Sequence, residues 1–142
     1  FFTYYVIRPE WSWQMFLIAL IVGTSVLLMR FVDQMSGYEA HLKGGEKDWT
    51  VRLGLERAVG AVGAILLAIH VMHLGLVLFH PVFLILLLTF PMGRKLMKGL
   101  HDKNDGLRFV RPAPQIVKMV IFSELLIIIS LTVQNALPWT IW

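Results

Sequence analysis

Four residues in one stretch of this chain could do chemistry together. Glu56 and Arg57 open a long apolar segment, and His70 and His73 lie inside it. Glu56 and His70 are fourteen residues apart. On an α-helix that is about four turns and about 21 Å, on nearly the same face. Paired histidines at this separation can serve two haems, one near each membrane surface, because neutral imidazole is an axial ligand of haem iron. Here only the inner position is a histidine, so His70 is the candidate metal ligand of a haem b. His73, one turn along, could hydrogen-bond a quinone or a haem propionate. Arg57 could pair with a propionate at one surface, and Arg94, Lys95 and Arg108 at the other, through charge-assisted contacts. Gly60, Gly63, Ala64 and Ala68 would let a flat macrocycle approach the backbone. The alternative stays beside this: small residues in membrane helices also serve helix packing, and a histidine there can bond a neighbouring helix.

Glu124, next to Ser123, interrupts the last apolar block. A carboxylate at that depth is costly unless protonated or paired. It is a candidate proton relay or quinone-site acid, or a polar lock to a neighbouring helix. His80 precedes a proline and reads as interfacial. His41 and His101 read as solvated loop residues, and Gln14 and Gln134 as interfacial residues near helix ends. The chain has no cysteine, which excludes disulfides, thiolate haem ligation and iron–sulfur ligation from its own residues. No phosphate loop, zinc motif or hydrolase elbow is present, so neither a soluble small-molecule substrate nor enzymatic turnover by the chain alone is expected.

The elements that must position these residues are membrane helices. The 142 residues are 57% hydrophobic and 15% charged, with a mean hydropathy of +0.70; soluble domains carry roughly 25% charged residues. Three apolar blocks, 16–32, 58–90 and 116–137, approach or exceed the roughly 20 residues that a helix needs to cross a bilayer. They are apolar all round, unlike the alternating strands of a barrel. The expectation is an all-α integral membrane helix bundle. Helices are expected at about 13–32, 55–79 and 115–137, with residues 33–54 as a polar loop. The stretch 58–92 is too long for one span and short for two. His80-Pro81 breaks it. Either 81–100 lies on the membrane surface as an interfacial amphipathic helix, or the stretch folds into a hairpin and adds a fourth span. Tyr4, Tyr5, Trp11 and Trp13, and at the other end Pro138, Trp139 and Trp142, suit the headgroup zone.

Loop charge sets the orientation. Segment 30–57 carries five Lys/Arg and five Asp/Glu; segment 94–118 carries seven against two. The positive-inside rule places the loop 92–114 in the cytoplasm. The basic loop lacks the aromatic interleaving of a nucleic-acid surface, so no nucleic-acid partner is expected; anionic lipid or a partner subunit is.

The order of motifs also resembles a family. Leu42-Lys43-Gly44-Gly45, Val51-Arg52-Leu53-Gly54-Leu55-Glu56-Arg57, Ala68-Ile69-His70-Val71-Met72-His73-Leu74, Phe90-Pro91-Met92-Gly93-Arg94-Lys95-Leu96, and Gly106-Leu107-Arg108-Phe109-Val110-Arg111-Pro112 follow one another. They look like the N-terminal three-helix part of bacterial membrane cytochrome b subunits, the quinone-reacting anchors of formate dehydrogenase and hydrogenase. That family usually has a His-Arg pair where Glu56-Arg57 stands, a histidine early in its first helix where Trp13-Gln14 stands, and a fourth helix with further ligands. Only His70 carries over. The resemblance implies a non-catalytic membrane subunit of an electron-transfer complex, respiratory or photosynthetic, in a bacterial inner membrane. Such a subunit would contact quinone, share a haem at most, and pack on other redox subunits and lipids. Two alternatives stand beside it: a cofactor-free structural accessory subunit, and a succinate or fumarate oxidoreductase anchor.

Overall fold

The computed structural model describes residues 12–102 and 109–136, and every regular element in them is helical. In chain order these are α1 (Trp13–Ser36), α2 (Tyr38–Lys43), α3 (Trp49–Leu53), α4 (Leu55–Val77), the 3₁₀ helix η1 (Pro81–Thr89), α5 (Phe90–His101) and α6 (Pro112–Ala136). The aromatic anchors expected at either end (Tyr4, Tyr5, Trp11, Pro138, Trp139, Trp142), together with Lys103, Gly106 and Arg108, lie outside the described residues.

Helices α1, α4 and α6 are long and apolar enough to cross a membrane. At most 39% of the most apolar stretch of any of them is buried inside the bundle. Leu27, Leu67, Val71, Ile121 and Ile128 are all more than half exposed. A bundle that turns this much aliphatic surface outward needs an apolar surrounding.

Each boundary has a local cause. Ser12 caps α1, its hydroxyl accepting from the Met15 N–H at 3.3 Å. Helix α1 then runs to Ser36, four residues past the expected end, because Phe31, Val32 and Met35 continue the buried stripe of Ile21, Ser25 and Leu28. The expected polar loop 33–54 is largely helical. Asp48 caps α3 through the Val51 N–H at 2.8 Å. Gly54, at φ 76° and ψ 152°, joins α3 to α4 in a conformation that L side chains rarely adopt. Helix α6 begins on Pro112, where a missing N–H costs nothing.

The stretch after α4 settles into a packed hairpin. Leu78 and Phe79 donate their N–H groups back to Gly75 and Leu76. His80 is extended, as the residue before a proline prefers. Its Nδ1 accepts from the Val82 N–H at 3.2 Å. The chain then returns along α4 as η1 and α5. Pro91 has no N–H to offer the Leu87 carbonyl, and the Phe90 N–H bonds that carbonyl one residue earlier, in the 3₁₀ manner. Burial follows the change of period. Phe83, Leu86 and Thr89 are buried at intervals of three along η1, and Gly93, Leu96 and Leu100 at intervals of three or four along α5. The 3₁₀ turn also lengthens the arm. Nine residues at about 2.0 Å and twelve at about 1.5 Å reach about 36 Å, against about 34 Å for the 23 residues of α4. The arm thus folds back along α4 and extends to His101, while α1, α4 and α6 are the three helices long and apolar enough to cross a membrane. Both η1 and α5 pack on α4 and α6, and α1 packs on the same two helices.

Candidate functional site

His70 stands on the face of α4 that the return arm covers. Its Nδ1 lies 2.7 Å from the Leu66 carbonyl. A carbonyl only accepts, so Nδ1 carries the proton and Nε2 keeps its lone pair. That nitrogen is buried and has no hydrogen-bond partner. The ring sits edge-on to Phe90, with centroids 5.3 Å apart. It rests on Gly93, where a Cβ would stand 3.1 Å from Cε1 and 3.7 Å from Nε2. One turn pair away, Gly63 receives Met97 in the same manner, its Cβ position 3.1 Å from the Met97 methyl. The two elements therefore interlock, each placing a glycine under a large side chain of the other.

His73 faces a different helix. It is fully buried, and its Nε2 lies 3.2 Å from the Ser123 hydroxyl on α6. Its Nδ1 is buried without a partner. In the neutral ring the least costly assignment has Nε2–H donating to Ser123 and Nδ1 unprotonated, because an unused acceptor costs less than an unused donor. The two imidazoles meet edge to face at 5.9 Å. Together they tie α4 to α5 and to α6.

The haem expectation can be put to this geometry. An iron ligand needs its lone pair open to a flat group on the order of 10 Å across. The His70 Nε2 has under 1 Å² of accessible surface, and Gly93 and Phe90 close it off. The small residues do not provide the slot either. Residues on a helix advance about 100° each, which places His70 about 120° around α4 from Ala64. Gly60, Ala64 and Ala68 form an exposed stripe on the outside of the bundle; no heavy atom lies within 4 Å of a Cβ built at Gly60. Gly63 shares the face of His70, but Met97 fills it. The residues as packed do not fit a haem.

The other expected site residues are dispersed. Arg57 is exposed in the first turn of α4. Glu124 is half-buried on α6, twelve residues from each end of the helix, and has no hydrogen-bond or ion-pair partner among the described residues. Gln14 and Gln134 do more than sit at an interface. Gln14 Nε2 donates to Gln134 Oε1 at 2.7 Å and joins the start of α1 to the end of α6. His101 ends α5, exposed, with Nδ1 2.9 Å from the Met97 carbonyl.

His41 is the clearest departure from a solvated loop histidine. It lies on α2, and its Nδ1 meets Asp48 Oδ2 in a short contact. Gly37 leaves room for the ring, its Cβ position 3.0 Å from the imidazole Nε2. The Asp48 hydrogen bond, partly opposed by burial, raises the His41 pKa above its ordinary value. Burial pushes the Asp48 carboxyl up, but the Val51 N–H, His41 and the Thr50 hydroxyl outweigh it and hold the carboxyl below its ordinary value. Glu46 joins them, and the three offer ligand atoms within 4.8 Å of one another. Both Asp48 oxygens already serve Val51, Thr50 and His41, so the cluster is complete as a loop clasp.

Sequence reasoning missed three partners. Gly93 and Phe90 entered only as parts of a family-like motif, and Ser123 only as the neighbour of Glu124. Nothing in their spacing from His70 or His73 announces a contact, because the hairpin register is set by the 3₁₀ stretch. No protein-family model, curated protein or solved structure matches this chain. The likeness to membrane cytochrome b subunits rests on the quoted residues alone.

Proposed function

We propose that the chain is a non-catalytic, membrane-embedded subunit of a larger membrane complex, and that its histidines hold its own helices together. The observation that carries this reading is the outward placement of Gly60, Ala64 and Ala68. Small residues four apart let a second helix approach closely, and Ala64 and Ala68 are exposed, with no element among the described residues covering them. Glu124 adds to it: a carboxylate midway along a spanning helix calls for a donor from outside the chain. The motif order resembling cytochrome b subunits supports an electron-transfer complex of a bacterial inner membrane as the host, and the basic segment around 92–114 supports a cytoplasmic position for that end.

The test uses the full chain in its native membrane. Ala64→Phe blocks the stripe without an internal clash, and Ile128→Phe, on the exposed face of α6, is the control. After mild solubilisation and native electrophoresis, the wild type and the control should migrate in a large complex, and Ala64→Phe should migrate free. Wild-type chain running at its own mass, with no effect of Ala64→Phe, sinks the proposal.

One observation favours a second reading, in which His70 shares a haem with a partner subunit. Its Nδ1–H bond to the Leu66 carbonyl leaves Nε2 in the ligand tautomer, oriented as metal-bound histidines are. This reading requires α5 to move off Gly93. A reduced-minus-oxidised spectrum of the purified complex tests it: b-type bands that persist in His70→Ala remove it. A quinone at His73 would have to displace Ser123. A flavoprotein in the complex would point to a succinate or fumarate oxidoreductase.

A further inference from the structure

We infer that the cleft between the end of α5 and the first turn of α6 binds the phosphate headgroup of an anionic lipid. The cleft has a volume of about 270 Å³ and opens to the surface; Lys95, Lys98, Asp102 and Arg111 line it, with Gly99 and Gln115 between them. Among the described residues, three cations and one carboxylate line it, and Asp102 and Arg111 each have a partner already, so the two lysines are the cations open to an anion. Lys95 and Lys98 are one turn apart on one face of α5, both exposed, and neither has a carboxylate partner among the described residues. Lys118, three residues beyond Gln115, is exposed on the same side of α6. The volume lies just below the roughly 300–1,000 Å³ of small-molecule sites, which suits a headgroup rather than a whole cofactor.

The surface beyond the cleft distinguishes a lipid from a free anion. Towards the middle of the bundle, α6 exposes Phe122, Leu125 and Ile129, beginning about two turns beyond Gln115 along the helix, and η1, which leads into α5, exposes Leu84. A lipid held by its phosphate would lay its acyl chains on that crest. A soluble phosphate gains nothing from it. Basic pockets between membrane helices take anionic headgroups on this logic. The inference depends on the membrane-spanning fold and not on the identity of the host complex.

The experiment equilibrates the full chain in detergent with equal amounts of phosphatidylcholine and phosphatidylglycerol and reads the retained lipid by native mass spectrometry. Phosphatidylglycerol should be retained over phosphatidylcholine. Lys95→Gln with Lys98→Gln should lower its retention about 25-fold, at about fivefold per lysine. Gly99→Leu should also lower it without changing the charge, because no protein atom lies within 4 Å of the Cβ position and the side chain enters the cleft. Lys43→Gln with Lys47→Gln makes the same charge change in the other loop and should leave retention unaltered. Equal retention of the two lipids, or an equal loss in the Lys43/Lys47 control, overturns the site. Inorganic phosphate that displaces the lipid at matched concentration overturns the lipid assignment in favour of a free-anion site. If the double-lysine variant fails to fold, Gly99→Leu decides alone.

Discussion

Gly93→Ala tests the register of the hairpin and the role of His70 together. In an exposed helix interior, alanine in place of glycine stabilises by about 1 kcal/mol. At Gly93 the added methyl would stand 3.1 Å from His70 Cε1 and 3.7 Å from both His70 Nε2 and Leu66 Cδ2. The ring has little freedom to yield. Leu66 holds its Nδ1 at 2.7 Å and Phe90 abuts its edge. Overpacking of this kind costs about 1–3 kcal/mol, so the net change is a destabilisation of up to about 2 kcal/mol. In a His70→Ala background the obstruction is gone, and the same substitution should stabilise by about 1 kcal/mol. The difference between the two backgrounds is a coupling of about 1–3 kcal/mol. Denaturation of the detergent-solubilised chain by SDS titration, followed by circular dichroism, measures all four corners of the cycle. An arm lying on the membrane surface would leave Gly93 open. Gly93→Ala would then stabilise equally with and without His70, and that result would refute the packed hairpin.

Further expectations follow from other contacts. Gly54→Ala places a Cβ on a backbone at φ 76° and should destabilise by about 1–3 kcal/mol, whereas Gly60→Ala, in open space within a helix, should be neutral or stabilising by up to about 1 kcal/mol; SDS titration compares them. The His41–Asp48 clasp gives a pH dependence with two signs. The raised His41 pKa contributes stability below about pH 6.5 that is lost as pH rises through the folded value. The lowered Asp48 pKa contributes stability above about pH 3.9 that is lost as pH falls through its folded value. The protection factors of residues 38–53, their amide exchange rates relative to the intrinsic base-catalysed rate at each pH, should therefore be largest at mildly acidic pH and fall towards alkaline pH; protection factors independent of pH would remove the clasp. Asp48→Asn keeps a capping side chain and should return the His41 titration, read from its imidazole proton resonances, towards about 6.5. Ser123→Ala leaves the buried His73 Nε2–H without an acceptor and should cost about 1–3 kcal/mol.

The spans were legible because their cause is local. Continuous apolar blocks need lipid whatever their neighbours, and α1, α4 and α6 fall where composition places them. Smaller features were read less well where a distant contact decided them. The end of α1 moved to Ser36 because Phe31, Val32 and Met35 pack inward, which hydropathy near Arg30 and Asp33 conceals. Residues 38–53 look like loop because of Gly44 and Gly45, yet Asp48 is an N-cap three residues before Val51, a signal visible in the sequence. The return arm was illegible in a stronger sense. An apolar run with period 3.0 followed by one near 3.6 does not match a single helical template, and only the 3₁₀ rise brings Gly93 level with His70. The small residues of α4 divide in a way their spacing conceals. Gly60, Gly63, Ala64 and Ala68 read as one small-residue face, but Gly63 packs inward against Met97 and the other three line an outer stripe.

That division of the small residues decides what the polar residues of α4 are for. A histidine that serves a cofactor and one that serves packing look identical in sequence, since both place an imidazole where a bilayer would exclude it. They differ in what the second nitrogen meets. His73 spends Nε2 on Ser123 across to α6, and His70 spends Nδ1 on its own helix and turns Nε2 against Gly93. Both rings are thus enclosed by the fold of this chain. Glu124 and the stripe of Gly60, Ala64 and Ala68 are not. A half-buried mid-span carboxylate and an exposed stripe of small residues are features that suit the approach of a second helix. Among the described residues, the half-buried Glu124 has no polar partner and no element covers Ala64 or Ala68, and these two features, rather than the enclosed imidazoles, are what a partner helix in the proposed complex would meet.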